Sequence, residues 1–374
     1  ILLSYNNMAT KGNDRSNAKI SDADIMRILS RKGRVKVFSE SYRAFSAGKS
    51  NITGNEERLF LCECYDYKQK ELIQSPLNYT GGKYKLLPQI LPHFPQDIDR
   101  FVDLFCGGGN VGINVPCNRV VFNDNNELLR YMFGTFKNLD KQVTFETIDA
   151  IIEKYGLSNT EKYGYDFYGC NSAEGLAAYN SSRYLKLRDD FNHHTNLEYN
   201  YYVTLYVLIV YAFNNQIRFN RKGEFNLPVG KRDFNKKMRE KLSAFIDRLK
   251  SGDYSFASHD FRELPTDDWN ENTFVYADPP YLIACATYNE QDGWNETLEK
   301  ELLTYLDNLN ERGIRFALSN VLHSKGKENK ILLDWIDRNV GRYRVIYLDY
   351  NYANSNYQTK DKTSKAEEVL IVNY

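Results

Sequence analysis

The stretch Phe274-Val275-Tyr276-Ala277-Asp278-Pro279-Pro280-Tyr281 constrains this chain more than any other. Phe274 to Ala277 predicts a short buried strand, apolar and aromatic, bounded by turn chemistry. Pro279 and Pro280 fix φ and carry no N–H, so the backbone must leave the sheet as a stiff extended loop. Open α/β sheets bind ligands at the carboxyl ends of their strands. The chemistry on offer suits an exocyclic amine of a base. Such an amine attacks weakly, because its lone pair is delocalised into the ring. Asp278 and the neighbouring carbonyl of Pro279 can each accept one amine hydrogen, turning the lone pair outward while Tyr281 stacks on the ring. The plainer reading makes Asp278 a turn cap, the prolines strand terminators and Tyr281 a core residue.

A second stretch, Phe101-Val102-Asp103-Leu104-Phe105-Cys106-Gly107-Gly108-Gly109-Asn110-Val111-Gly112, predicts a buried strand, a glycine-rich turn and then a helix. That is the first βα turn of a Rossmann-like sheet, but its spacing departs from the dinucleotide pattern that grips a pyrophosphate. A shorter turn with its own acid suits a cofactor with a positive centre and a free amino group, and S-adenosylmethionine has both. Residues 118–122 predict the next strand, with Asp124 at its end. There it either holds ribose hydroxyls or caps a helix over residues 126–137. Upstream, Gly81-Gly82-Lys83 is a turn that lets backbone and ammonium approach a carboxylate or phosphate. Downstream, residues 254–264 hold a strand ending near Asp260, which either lines the cofactor adenine or belongs to a turn.

Net charge is zero over 374 residues, so any polyanion must be met by local charge. From Arg218 to Lys250 there are eleven Lys/Arg against four acids. Lys222-Gly223, flanked by aromatics, predicts a hairpin tip. That basic stretch is the predicted DNA contact; its plainer alternative is a solvated helix face over residues 235–250. Residues 140–200 show no defensible period beyond a helix at 181–191. Val203 to Phe213 predicts a buried helix, too short to span a bilayer. Further helices are predicted at 297–312 and 331–339, and strands at 315–319, 342–349 and 368–374. Six scattered cysteines without a Cys-x-x-Cys pair argue against zinc and point to the cytoplasm.

The amino-terminal segment repeats the carboxyl-terminal one in four blocks of the same order. Residues 1–7 parallel 316–320, residues 24–31 parallel 331–338, residues 34–38 parallel 342–346, and residues 56–61 parallel 367–372. An internal repeat is predicted, with residues 1–66 as the tail of an upstream copy of the same domain.

From about Ser75 to Tyr374 the chain resembles a Dam-type DNA adenine-N6 methyltransferase of the α class. Leu77-Asn78-Tyr79-Thr80-Gly81-Gly82-Lys83 resembles that family's leading motif. Asp103-x-Phe105-x-Gly107-x-Gly109 resembles its cofactor motif, although Glu-Pro-Phe is more usual than Asp103-Leu104-Phe105. Arg218–Gly230 is similar to its target-recognition hairpin, and Asp278-Pro279-Pro280-Tyr281 to its catalytic signature. The resemblance implies a mostly parallel Rossmann-like sheet with one antiparallel strand and an inserted, mainly helical recognition region. Residues 67–139 and 254–374 would form the catalytic domain and 140–253 the target-recognition region. It implies S-adenosylmethionine held by Tyr79, Thr80, Gly81, Lys83, Asp103, Phe105, Gly107, Gly109, Asp124, Asp260 and Phe261. It further implies double-stranded DNA met by Arg218, Asn220, Arg221, Lys222, Asn226, Lys231 and Arg232, and a restriction endonuclease as system partner. The repeated tail resembles tandem type IIS modification enzymes, whose two halves each methylate one strand of an asymmetric site. Two rivals stand beside this reading. One is a non-catalytic DNA-binding module of the same fold; the other is an enzyme acting on cytosine N4, RNA adenine or a protein glutamine amide.

Overall fold

A computed structural model describes residues 1–6, 20–30, 33–41, 56–64, 72–79, 81–171, 173, 175–194, 199–283, 293–324, 326–349 and 366–374. In chain order the strands are β1 (Leu2–Asn6), β2 (Gly33–Ser41), β3 (Glu56–Cys64), β4 (Arg100–Asp103), β5 (Arg119–Asn123), β6 (Asp253–Ala257), β7 (Thr273–Ala277), β8 (Arg315–Ser324), β9 (Lys327–Glu328), β10 (Arg344–Leu348) and β11 (Glu367–Val372). The helices are α1 (Asp22–Ser30), α2 (Leu87–Ile90), α3 (Glu127–Asn138), α4 (Lys141–Tyr155), α5 (Thr160–Tyr163), α6 (Ala177–Asn192), α7 (Tyr201–Tyr211), α8 (Lys236–Ser251), α9 (Glu296–Glu311) and α10 (Lys330–Arg338). They fall into two compact units, one of residues 71–84 and 97–277, the other of residues 1–70, 85–96 and 278–374.

In the first unit β4 pairs in parallel with both β5 and β7, and β5 pairs in parallel with β6. All five residues of β7 are buried, as a strand covered on both faces must be. The chain runs from β4 outward through β5 to β6 and then returns to place β7 on the other side of β4. The strand order therefore reverses between β4 and β7, the switch point where open sheets leave a crevice. Between α3 and β6 lies a mainly helical insertion, α4 to α8. Its centre is α7, buried all round from Val203 to Tyr211.

The α-helix expected after the glycine turn is absent. Gly112–Asn114 make a single 3₁₀ turn, and Val115 is extended at φ −79°, ψ 127°. Val115 precedes Pro116, and a pre-proline residue is pushed out of the α region. Conversely, the unpatterned residues 140–200 hold three α-helices, α4, α5 and α6.

In the second unit β11 lies between β8 and β10 and runs antiparallel to both, the one reversed strand of the expected fold. The two-residue β9 folds back on β8. The amino-terminal segment forms its own antiparallel sheet in the order β1-β3-β2, which is the order β8-β11-β10 with each strand replaced by its counterpart. The registers coincide residue by residue. Ser4 faces Leu59 as Ser319 faces Leu370, and Val37 faces Phe60 as Val345 faces Ile371. A helix of nine residues separates the first and second strands of each set. Because a one-residue slip would turn every side chain to the opposite face, matching registers place corresponding residues of the two sheets on corresponding faces.

Candidate active site

The turn after β4 owes its shape to two glycines in the left-handed region, Gly107 at φ +47° and Gly109 at φ +75°. The Gly109 N–H donates to the Cys106 carbonyl at 2.7 Å, and the Cys106 N–H to the Asn123 carbonyl at 2.8 Å. Asp124, one residue beyond β5, accepts the Gly107 N–H on Oδ2 at 2.9 Å and the Asn126 N–H on Oδ1 at 3.0 Å. The cap of α3 is Asn126, which accepts the Leu128 N–H at 3.1 Å, so Asp124 does not cap that helix. Burial raises the Asp124 pKa, and the two backbone bonds oppose that rise. Asp103 is buried, and its Oδ2 accepts the Gly112 N–H at 3.0 Å, tying the end of the turn back to β4.

Tyr79 lies against this turn: a Cβ on Gly107 would stand 2.7 Å from its ring. The Asn126 side chain hydrogen-bonds its phenol, whose pKa is pushed up by burial and then by the Asp124 charge. Tyr79, Gly107 and Asp124 are thus brought together. Lys83 is buried, with Nζ donating to the Gly81 carbonyl at 2.8 Å, and Gly81 has φ +80°. Thr80 lies outside the described residues. Phe105 and Phe261 pack ring to ring at 5.6 Å. Asp260 is gripped by the Arg262 guanidinium at 2.7 and 2.8 Å, which holds its carboxyl below the usual range. Burial, followed by the charges of Asp124 and Asp103, pushes the Cys106 thiol up, so it stays in its weakly nucleophilic form.

In the other unit, Asp278 is the first residue after β7. Pro279 is buried and Pro280 exposed, while Asp278 and Tyr281 are partly exposed. The Tyr281 hydroxyl lies 3.1 Å from Asp278 Oδ1 and 2.9 Å from Glu368 Oε1. Glu368 is fully buried on β11.

The basic stretch forms a tight hairpin. The Gly223 N–H donates to Asn220, the Asn220 N–H to Glu224, and Phe219 bridges Phe225. Several expected DNA contacts are engaged within it. Arg218 donates through Nε to Asn226 Oδ1 at 2.8 Å, and the Asn220 side chain caps the tip by accepting the Lys222 and Glu224 N–H groups. Arg221, Lys222, Lys231 and Arg232 are exposed. Arg239 is committed to Asp149 and Glu161 at 2.5 and 2.9 Å. Half-buried Lys241 has its pKa lowered to about 8, first by desolvation and then by Lys237 and Arg232. The charges of Lys237 and Arg232 are thus near enough to act on Lys241.

Three residues escape a reading of the sequence alone. Asn123 donates to the Leu104 and His259 carbonyls at 3.1 and 3.0 Å and accepts the His259 N–H at 3.0 Å, joining the loops that follow β4 and β6. A polar residue closing the apolar run Val120 to Phe122 was its signal. Lys241 lies within the basic stretch but is not singled out by it, because its amphipathic helix also reads as a solvated face. Glu368 looks like one of two solvated acids before an apolar strand, although the repeat aligns it with another glutamate, Glu57.

A parallel sheet whose strand order reverses at β4, with a glycine turn held by a buried carboxylate at its first strand, is an α/β fold of Rossmann-like methyltransferase type. The chain belongs to the D12 class of N6 adenine-specific DNA methyltransferases, which it matches over residues 79–354. It is 38% identical over 403 residues to the modification methylase StsI of Streptococcus sanguinis, covering 100% of this chain and 56% of that protein. Identity is also 38% over 314 residues to the type II methyltransferase M.FokI of Planomicrobium okeanokoites, covering 82% of this chain and 44% of that protein. The DNA adenine methylase of Escherichia coli (strain K12) is 29% identical over 248 residues, covering 65% of this chain and 79% of that protein. The chain therefore spans about half the length of the two modification enzymes. Among the described residues no helix is long and apolar enough to cross a membrane.

Proposed function

We propose that this chain methylates N6 of an adenine flipped out of duplex DNA, drawing the methyl group from S-adenosylmethionine, as the modification partner of a restriction endonuclease. The carrying observation is the loop after β7, in which the Tyr281 hydroxyl lies 3.1 Å from the Asp278 carboxylate, so that acid and ring stand side by side. Asp278 and the Pro279 carbonyl accept the two amine hydrogens, and Tyr281 stacks on the base. The base must leave the helix first, because its amine is unreachable inside the stack. What the loop contributes is orientation and preorganised acceptors, with no covalent nucleophile.

The residues around the β4 turn fit the cofactor. Asp124 is fixed by two backbone N–H bonds, and a carboxylate keeps acceptor capacity beyond them for ribose hydroxyls. Tyr79, Asp103, Phe105, Gly107, Gly109, Asp260 and Phe261 would hold the rest of the molecule, with Asp260 toward its adenine. When bound, S-adenosylmethionine supplies an electrophilic methyl group. Arg221, Lys222, Lys231 and Arg232 meet DNA phosphates, and the DNA substrate places the enzyme in the cytoplasm. The matching registers of the two antiparallel sheets support residues 1–66 as the closing part of a second copy of the fold. Residues 67–139 and 254–374 then serve catalysis, and 140–253 recognition.

The test is methyl incorporation from labelled S-adenosylmethionine into duplex DNA, followed by nucleoside analysis. N6-methyladenine is expected, and Asp278→Ala should bind the cofactor yet incorporate nothing. N4-methylcytosine, methylated RNA or protein, or DNA binding without any methyl transfer would overturn the reading.

A further inference from the structure

A phenol has one hydrogen to donate, yet the Tyr281 hydroxyl lies within reach of two carboxylates, 3.1 Å from Asp278 and 2.9 Å from Glu368. Whichever oxygen takes the hydrogen releases the other. The two acids differ in setting. Asp278 stands in a loop and is partly exposed, whereas Glu368 is fully buried, followed in its strand by Val369, Leu370, Ile371 and Val372. Successive residues of a strand point to opposite faces, so Glu367 and Glu368 diverge, Glu367 facing His323 and Glu368 facing Val321 across a register shift that leaves Leu322 of β8 over. Here Glu367 goes outward to His323 at 2.9 Å, and Glu368 goes inward to the tyrosine.

We infer that Glu368 is a positioning residue: it takes the Tyr281 hydrogen, fixes the ring as a stacking plate and leaves Asp278 Oδ1 to accept a hydrogen of the base's amine. Without Glu368 the phenol turns to Asp278, 3.1 Å away, where it competes with the substrate for the oxygen that catalysis needs. The inference rests on the proposed role of Asp278 as an amine acceptor.

A double substitution separates this from a merely structural role. In Glu368→Ala, kcat should fall by about tenfold or more, while KM for DNA and cofactor affinity change little. Removing the competing hydroxyl should then restore activity, so Glu368→Ala/Tyr281→Phe is expected to turn over faster than Glu368→Ala alone. Glu368→Gln keeps an acceptor oxygen for the phenol and should stay close to the parent, which decides the matter if the alanine variant does not fold. Thermal melting and cofactor titration establish folding in each case. A folded double variant no faster than the single one, a fully active Glu368→Ala, or a folded Glu368→Gln as slow as the alanine variant would overturn the inference. Should the parent incorporate no methyl into adenine, the proposed function fails instead.

Discussion

The Asp124 carboxylate takes the Gly107 N–H at 2.9 Å, so the second strand of the parallel sheet holds the turn that follows the first. The same group orders the entry to α3 through the Asn126 N–H at 3.0 Å. One buried side chain thereby sets two of the surfaces proposed to meet the cofactor.

Truncating it should separate binding from folding only partly. Asp124→Ala leaves both N–H donors without their acceptor, and the expected destabilisation is about 1–3 kcal/mol. Asp124→Asn keeps one acceptor oxygen and should fall between the parent and the alanine variant in thermal stability. Both should bind S-adenosylmethionine weakly by calorimetric titration, because the anchored carboxylate is lost in each. An Asp124→Asn protein that binds the cofactor as tightly as the parent would remove Asp124 from the ribose site.

Asn123 offers a sharper contrast, because its amide is used in both directions. It is buried, donates to the carbonyls of Leu104 and His259 and accepts the His259 N–H. Asn123→Ala should cost about 1–3 kcal/mol for each polar group left without a partner or water. Asn123→Asp keeps the acceptor but aims a carboxylate oxygen at two carbonyls, so it should be the less stable of the two variants at neutral pH. Urea unfolding of both checks the order. If aspartate proves as stable as asparagine, the bridge between the loops after β4 and β6 has been misassigned.

The parts legible in the sequence were those whose physics is local. Thr273–Ala277 is buried along its whole length, and a continuous apolar run states that directly. The glycine turn announces itself because φ values of +47° and +75° exclude most other residues. Residues 140–200 were opaque because their helices bury polar and aromatic groups in pairs rather than a plain apolar stripe. Asn180 bonds Ser158, and the Tyr155 hydroxyl bonds Asp190, all of them buried. Hydropathy periodicity cannot see a polar residue made apolar by its partner. Charge counting failed similarly between Arg218 and Lys250. Arg218 and Arg239 are committed to partners within the protein, so the number of basic residues overstates the charge offered to DNA. Glu368 was illegible for a third reason: two adjacent acids before an apolar run do not reveal that the second is buried with the rest of the strand.

The cluster of Arg232, Lys237 and Lys241 gives the DNA-binding reading a pH signature. Desolvation and the two neighbouring cations lower the Lys241 pKa to about 8. A DNA phosphate beside the ammonium would favour the charged form and raise that pKa. The free protein loses the Lys241 proton as pH climbs through about 8, whereas the complex retains it, so binding must take up a proton in that range. Affinity for duplex DNA should therefore be steady below pH 7 and fall toward pH 9, by up to about tenfold per unit if one proton is fully linked. Lys241→Gln should abolish most of that pH dependence, weaken binding at pH 7 and reduce the salt slope by about one phosphate contact. Lys241→Arg should keep the affinity at pH 7 and lose the pH dependence, since a guanidinium stays charged throughout. Fluorescence anisotropy with a labelled duplex, repeated at several pH and salt values, measures all three quantities. A parent protein with no pH dependence between 7 and 9, or a Lys241→Gln variant with an unchanged salt slope, would show that this face does not touch the phosphates.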